Sequence, residues 1–174
     1  SVEEFAQDQP LSFKKVSQAV DMLWNASRPL VITGRGARAS GSALMGLLEA
    51  SKAVYLDTQE SRGIVSEDHP SVVNAVRGIA MRDTDLVVTI GRKLDYQLGY
   101  GSVAVFPNAC FLRIADNAEE LRDGRRGDIE LLGNEREACE AMVNIAGSRK
   151  PNTDRNWADG LRGKHLERVN ALRE

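Results

Sequence analysis

Short apolar runs alternate with stretches of helical periodicity along most of the chain. The first periodic stretch follows Ser12, a suitable N-cap, and its apolar residues recur at three- and four-residue intervals. Further helices are predicted from Ser40, over residues 72–79 and from Asn134. Buried strands are predicted at residues 30–33, 54–56, 86–90, 111–114 and 129–132.

This alternation of strands and helices predicts the fold class. Strands of three to five residues joined by helices form parallel βαβ units, whose sheet is covered on both faces. We therefore predict an α/β, Rossmann-like three-layer sandwich with a mostly parallel sheet of five or six strands. The sixth strand, if the sheet has one, is expected around Ile64-Val65.

The two ends of the chain differ in composition from its middle. Residues 1–11 are polar and are predicted to form an incoming linker, and residues 12–147 form the Rossmann-like domain. Residues 148–174 begin with Ser-Arg-Lys-Pro-Asn-Thr and are predicted to form an outgoing linker and a helix. The sequence is therefore interpreted as one domain taken from a longer protein, with a further domain after its last helix.

Composition excludes several function classes. A net charge of −2 over 174 residues provides no basic field for nucleic acid. Apolar runs such as residues 53–56 are too short to span a membrane, and the acidic N-terminus does not resemble a signal peptide, so a cytoplasmic location is expected. Cys110 and Cys139 are predicted to be small buried hydrophobic residues, and with only two histidines in the chain no zinc site is expected.

A glycine-rich turn follows the first strand. Residues 34–39, Gly-Arg-Gly-Ala-Arg-Ala, fit the G-x-G-x-x-G/A pattern, and Asp57 ends the second strand where a ribose-binding acid is expected. Such glycines either form a tight turn without a ligand or let a phosphate approach the backbone and the helix N-terminus. Arg35 and Arg38 favour the phosphate interpretation, because a guanidinium binds phosphate oxygens bidentately. Both interpretations stay open.

Five ordered segments, spread over roughly residues 12–147, carry a family resemblance. They are residues 28–38, residues 57–63 with 68–70, residues 84–95, residues 109–116 and residues 129–133. Together they resemble the central domain of thiamine-diphosphate-dependent enzymes, a group that includes acetolactate synthase, pyruvate oxidase, benzoylformate decarboxylase and oxalyl-CoA decarboxylase.

The resemblance implies a parent enzyme that acts on 2-oxo acids, as a carboligase or a decarboxylase. Thiamine diphosphate and Mg²⁺ would be held by flanking catalytic domains of the same chain, in a homodimer or homotetramer. The Gly-Asp-Gly motif that holds the metal in this family is absent, and residues 122–128 are interpreted as a charged surface loop. No catalytic residue and no metal ligand is therefore expected in this chain, which should be inactive alone.

The resemblance also implies where a ligand would bind. In family members that use it, the central domain binds an adenine-containing molecule, FAD or CoA/ADP; in others the site is empty. The positions that match the family's contacts are Gly34, Arg35, Gly36, Thr58, Gln59, Gly91, Lys93 and Asp116.

Two departures from the family pattern affect this expectation. The family commonly has two aspartates separated by one residue, but Ala115 and Asn117 stand at those places, so Asp116 takes the role only with a one-residue shift. Residues 59–61, Gln-Glu-Ser, are polar where flavin-using members are more apolar, which makes FAD less favourable.

Two other functions fit the glycine motif. The first is an NAD-binding Rossmann protein, dehydrogenase or deacetylase-like, supported by Asp57 but short of acid/base candidates, since only His69 and His165 are available. The second is a non-enzymatic FAD-binding domain of the electron-transfer flavoprotein kind. NAD binding would support the first alternative and flavin absorbance the second, against the interpretation as a central domain of a thiamine-diphosphate-dependent enzyme.

Overall fold

Five strands form one parallel sheet in the computed structural model of the chain, which describes residues 11–173. The strands are β1 (Pro29–Thr33), β2 (Val54–Leu56), β3 (Leu86–Ile90), β4 (Cys110–Ala115) and β5 (Ile129–Leu132), in the spatial order β2-β1-β3-β4-β5. Each predicted strand is present, within one residue of its expected bounds. The predicted linker over residues 1–11 lies, apart from Leu11, outside the described residues.

Six α-helices and several short 3-10 turns connect and follow these strands in the described part of the chain. The helices are α1 (Phe13–Asn25), α2 (Gly41–Ser51), α3 (Arg77–Asp83), α4 (Ala118–Arg122), α5 (Glu135–Ala146) and α6 (Arg155–Arg173). The predicted N-caps Ser12 and Asn134 accept backbone N–H bonds from Lys15 (3.4 Å) and Glu137 (3.0 Å). None of the helices within residues 11–173 is long and apolar enough to cross a membrane.

Helices cover both faces of the sheet, as predicted. Side chains alternate along each strand, so Val31, Val88 and Leu112 pack with the buried faces of α1, α2 and α5. Leu30 and Val87 point the opposite way, into a second cluster that includes residues of α3 and α6. Since every residue of β1 and β3 is buried, the sheet forms the middle of three layers, which confirms the Rossmann-like α/β fold.

The segment between β2 and α3 differs from the sequence-based expectation. Residues 64–65 form a bend instead of a sixth strand, and α3 begins at Arg77, not Val72. Val72 instead lies alongside β2: the Tyr55 N–H donates to the Ser71 carbonyl, and the Val73 N–H donates to the Tyr55 carbonyl. The spacing of Val72, Val73 and Val76 fits a helix, which explains the prediction. Extended backbone beside the edge strand β2 buries Val72 and Val73 equally well.

The two cysteines also differ from each other. Cys139 on α5 is fully buried, as predicted, and burial raises the pKa of its thiol to about 12. Cys110 is exposed at the start of β4, so the prediction that it is buried is wrong. Its position at the strand's first residue leaves the side chain at the sheet's rim, because burial begins only with Phe111.

The last helix packs against the β2–α3 segment. The His165 imidazole is buried, and its Nδ1 accepts a hydrogen bond from the Ala75 N–H (3.0 Å). Burial and the nearby Arg162 guanidinium lower the pKa of His165, which favours the neutral ring that this bond needs. Arg162 donates to the Val72 carbonyl (2.7 Å), so α6 stabilises the non-helical course of residues 72–76.

A buried arginine in the sheet organises the edge where the strands end. Arg113 on β4 is 1% exposed, and its Nε donates to the Thr89 hydroxyl on β3 (3.2 Å). Its two Nη atoms donate to the backbone carbonyls of Arg92, Glu120, Leu121, Asp123 and Arg125. Every N–H group of this guanidinium therefore has an acceptor. One buried cation thus fixes the loop after β3, the helix α4 and the loop after α4.

Replacing Arg113 by methionine should destabilise the domain by on the order of 3–5 kcal/mol, because several buried carbonyls lose their donor at once. Urea unfolding followed by circular dichroism measures the change. Arg126→Met is the matched control: Arg126 lies in the loop after α4 and pairs at the surface with Glu130 (2.7 Å), so its loss should change the stability far less than the loss of Arg113. Equal losses for both variants would contradict this role.

Candidate functional site

Two polar clefts lie along the carboxyl edge of the sheet. In the strand order β2-β1-β3-β4-β5, the chain reverses direction across the sheet between β1 and β3, and ligands in open α/β sheets bind at such a switch point. One cleft has a volume of about 440 Å³ and the other about 410 Å³. Arg92, directly after β3, lines both, so its side chain stands at the boundary between them.

The first cleft carries charges of both signs. Its lining residues are Arg35, Glu60, Gly91, Arg92, Lys93, Asp95, Asn117, Glu119 and Glu120. Three cationic side chains thus face four carboxylates. This cleft offers many hydrogen-bond acceptors, which suit a ligand with hydroxyl or amino groups, and no net positive charge.

The second cleft is lined by cationic and neutral residues only. Its lining residues are Thr58, Gln59, Arg62, Arg77, Arg92, Gln97 and Leu98. It adjoins a smaller cleft of about 320 Å³, which shares Thr58, Gln59, Arg62 and Arg77 with it and is also lined by Asp57, Glu67 and Asn74. Burial raises the pKa of the Asp57 carboxyl, which reduces its negative charge at low pH.

The glycine turn between β1 and α2 is packed directly against the end of β3. A Cβ on Gly36 would lie 2.8 Å from the Gly91 Cα and 2.6 Å from the Glu135 Oε1 atom. Gly91 has a φ of +57°, and a Cβ there would lie 2.5 Å from the Gly36 Cα. These glycines are therefore required for a close approach of two backbones.

Four amides of this turn are already hydrogen-bonded within the protein. The Gly34 N–H donates to the Ile90 carbonyl (3.1 Å), and the Gly36 N–H donates to the Gly91 carbonyl (3.1 Å). Ala37 and Arg38 donate within a 3-10 turn, and α2 begins only at Gly41. The Gly36 amide is therefore not free for a phosphate, and the first turn of the helix does not start directly after it, as it does in the dinucleotide motif.

Thr58 and Gln59 follow β2, and they differ in how free their side chains are to contact a ligand. The Thr58 hydroxyl donates to the Thr33 carbonyl at the end of β1 (2.8 Å), and Ser61 donates to the same carbonyl (3.0 Å). Thr58 therefore ties two strand ends together. Gln59 is exposed and lines the second cleft, so its amide is the freer ligand contact of the two.

Three carboxyl groups meet beside the glycine turn. Oxygens of Asp116, Glu120 and Glu135 all lie within 4.8 Å of one another, and Glu135 Oε1 accepts the Asp116 N–H (3.2 Å). Burial raises the pKa of Glu135 to about 7, with Asp116 adding to the effect, and burial also raises the pKa of Glu120. Such oxygens are ligands that cations accept, but burial and mutual repulsion favour protons on this cluster.

The Arg92 side chain lies over Gly34 and is 9% exposed. Its Nη atoms donate to the Asp95 carboxylate (3.1 and 3.3 Å) and to Gln97 (3.1 Å). Its Nε is buried and has no hydrogen-bond partner among the described residues. Since its own carbonyl is held by Arg113, Arg92 is fixed at both the backbone and the side chain.

The structure brings the sequence-predicted site residues to one edge of the sheet but not into one cleft. Arg35, Gly91 and Lys93 line the first cleft, and Thr58 and Gln59 line the second. Gly34 and Gly36 form the turn and pack against residues 91 and 92 at the end of β3, and Asp116 lies in the carboxyl cluster.

Sequence reasoning did not select the arginines of the second cleft. Arg62, Arg77 and Arg92 were not among the predicted contacts, although Arg92 directly follows Gly91, the predicted end of a strand. That position was the available signal. Arg62 and Arg77 belong to irregular segments, so nothing in the local pattern shows that they converge.

The fold and this edge define the class of protein: a Rossmann-like domain with a polar groove at its topological switch point. Residues 16–142 match the family model for the thiamine pyrophosphate enzyme, central domain. The chain belongs to this family, as the resemblance predicted.

Curated relatives support the same assignment. The chain is 36% identical over 144 residues to 2-hydroxyacyl-CoA lyase 1 of Dictyostelium discoideum, covering 79% of this chain and 24% of that protein. It is 31% identical over 131 residues to the Homo sapiens 2-hydroxyacyl-CoA lyase 1, covering 72% and 23%. Oxalyl-CoA decarboxylase of Escherichia coli K12 is 25% identical over 150 residues, covering 85% and 27%. The chain thus spans about a quarter of these relatives.

Solved structures show the same fold. A benzoylformate decarboxylase from Polynucleobacter necessarius matches with a TM-score of 0.64 at 18% identity, covering 83% of this chain and 30% of that one. A thiamine diphosphate-dependent 4-hydroxybenzoylformate decarboxylase from Rhodococcus jostii RHA1 matches with a TM-score of 0.64 at 17% identity, covering 82% and 29%.

Replacing Gly36 by alanine should destabilise the domain by on the order of 1–3 kcal/mol, because the new methyl group meets backbone atoms of Gly91 that cannot move freely. Gly46→Ala is the matched control. Gly46 lies inside α2 with no heavy atom within 4 Å of the added Cβ, so alanine there should stabilise by about 0.5–1 kcal/mol. Thermal unfolding measures both, and a stable Gly36→Ala variant would contradict the close packing.

Replacing Glu135 by glutamine should raise stability at pH 8 but much less at pH 5. The folded-state pKa of about 7 lies above the ordinary value of 4.5, so the wild type loses stability as pH rises through 7. Glutamine does not ionise and avoids this loss, which is on the order of 1–3 kcal/mol. Urea unfolding at both pH values tests it, with the exposed Glu137→Gln on the same helix as control. A pH-independent difference would show that ionisation is not the cause.

Proposed function

We propose that this chain is the nucleotide-binding central domain of a thiamine-diphosphate-dependent enzyme that acts on CoA thioesters or related 2-oxo acids. The supporting observation is the polar groove at the switch point, in a family whose matched relatives include enzymes named 2-hydroxyacyl-CoA lyase and oxalyl-CoA decarboxylase. The proposed parent reaction makes or breaks the carbon–carbon bond next to a carbonyl, as a lyase, decarboxylase or carboligase.

The residues of this chain do not fit thiamine diphosphate or its metal. The sequence contains no Gly-Asp-Gly triplet, which is the motif that holds the metal of thiamine diphosphate in the family that the sequence resembles. Thiamine diphosphate supplies an electron sink for the carbanion formed at the bond that breaks. We assign this cofactor, Mg²⁺ and all catalytic residues to flanking domains of the same polypeptide, which we propose forms a homodimer or homotetramer.

The groove suits CoA or ADP better than FAD. A flavin ring needs an apolar wall, whereas Leu98 is the only aliphatic side chain that lines the second cleft among the described residues. We place the nucleoside in the first cleft, where Asn117 and neighbouring carboxylates can accept hydrogen bonds from ribose hydroxyls and the adenine amino group. Lys93 and Arg35, from the predicted contact set, border this position, with Asp116 beside it.

Isothermal titration calorimetry of the chain with ADP, CoA and FAD tests this proposal. ADP, CoA and FAD share adenosine diphosphate, so the comparison isolates the rest of each ligand. CoA should bind at least as tightly as ADP, and FAD should bind at least about tenfold more weakly than CoA, because the flavin ring finds no apolar wall. NAD serves as the comparison for a dehydrogenase-type site. Tight FAD binding with a yellow protein, or binding of NAD alone, would overturn the assignment.

A further inference from the structure

We propose that the second cleft, formed by Arg62, Arg77 and Arg92, binds the phosphate groups of the ligand, and that the glycine turn does not. The inference rests on the proposed function where the ligand is a nucleotide. The cleft would recognise phosphate groups through guanidinium groups, so free pyrophosphate should bind there as well as a nucleotide. The proposed phosphate position is therefore the space between the ends of β2 and β3, and not the glycine turn after β1.

The charges of the two clefts support this assignment. Three guanidinium groups line the second cleft without a single carboxylate among its lining residues. In the first cleft, Arg35, Arg92 and Lys93 are outnumbered by Glu60, Asp95, Glu119 and Glu120. Arg92 is paired with Asp95, so the attraction in the second cleft comes chiefly from Arg62 and Arg77. A phosphate gains Coulomb energy from such unpaired cations and loses it to carboxylates at similar distances. The second cleft is thus the more favourable place for an anion.

The arginines of the second cleft have donors to spare. Arg62 and Arg77 are exposed, and neither takes part in an ion pair within residues 11–173. Arg77 is anchored by one bond, from Nη2 to the Asp57 carbonyl (2.8 Å), which leaves its other N–H groups available. Guanidinium forks of this kind bind phosphate bidentately.

The glycine turn lacks what a phosphate needs. The Gly34 and Gly36 amides donate to carbonyls at the end of β3. The Glu135 carboxyl lies against Gly36, and Asp116 and Glu120 are close to it. A phosphate here would find few free amides and three acidic groups.

Acidic residues also occur near the second cleft, and their position matters. Asp57 and Glu67 line the adjoining smaller cleft, which shares Thr58, Gln59, Arg62 and Arg77 with the second cleft. They limit how far the positive field extends, but neither carboxylate forms an ion pair with Arg62 or Arg77 within residues 11–173. Gln59 and Gln97, which line the cleft itself, are neutral, and the Gln59 amide can donate to a phosphate oxygen.

Titration of the purified chain with inorganic pyrophosphate, ADP and adenosine tests the proposal. The double variant Arg62→Ala/Arg77→Ala should bind pyrophosphate and ADP at least about tenfold more weakly than the wild type, and its affinity for adenosine should be unchanged. The affinity of the wild type for pyrophosphate should fall as the salt concentration is raised from about 50 to about 300 mM, because salt screens the attraction between charges. Arg82→Ala, an exposed arginine on the same helix as Arg77, is the control and should bind like the wild type.

The outcomes separate this inference from the proposed function. If pyrophosphate binds and the double variant loses it, while ADP and adenosine do not bind, the nucleotide proposal fails and the anion cleft stands. The cleft assignment is overturned if wild-type protein does not bind pyrophosphate, if the double variant retains its affinity, or if Arg35→Ala causes the larger loss. Circular dichroism verifies folding, and Arg62→Lys/Arg77→Lys, which keeps both charges, should retain more affinity than the alanine pair.

Discussion

The buried Arg113 guanidinium is the interaction on which the shape of the groove depends. A cation in a central strand is tolerated only because Thr89 and five carbonyls accept its hydrogen bonds, while Glu130, Asp123 and Glu120 balance its charge from further away. Those carbonyls belong to the loop after β3, to α4 and to the loop after α4. One of them is the Arg92 carbonyl, so the residue that divides the two clefts takes its position from the core of the sheet. The site is therefore built outward from a structural cation.

The glycine turn shows how one sequence pattern can serve two physical ends. In a dinucleotide-binding loop, the glycines bring amides close to a phosphate. Here the Gly36 and Gly91 backbones use the same absence of Cβ to approach each other, and the amides are consumed by carbonyls of β3. The pattern G-x-G-x-x-A fixes that a close approach is needed. It does not fix what approaches, because the partner comes from a strand more than fifty residues later in the chain.

The fold was largely predictable because it follows from local patterns. Each β-strand is a short apolar run, and Ser12 and Asn134 cap their helices through bonds three residues away. The errors, at residues 64–65 and Val72, fall where a bend and extended backbone depend on β2 and α6. For the candidate site, the sheet edge was predicted but its division was not. Arg113 resembled any strand residue, and Arg62 any surface arginine, since their partners are distant in sequence.

The division of the groove has a consequence for how binding would respond to pH. With the pKa of Glu135 raised to about 7, the carboxyl cluster near Gly36 gains negative charge within the physiological range. A phosphate at the glycine turn would feel this change directly, because it would lie beside the titrating group. A phosphate at the proposed position between Arg62 and Arg77 would lie apart from Glu135, because neither arginine lines the space around that cluster. The proposed arrangement would thus keep the strongest electrostatic contact away from the carboxyl group whose charge changes near neutral pH.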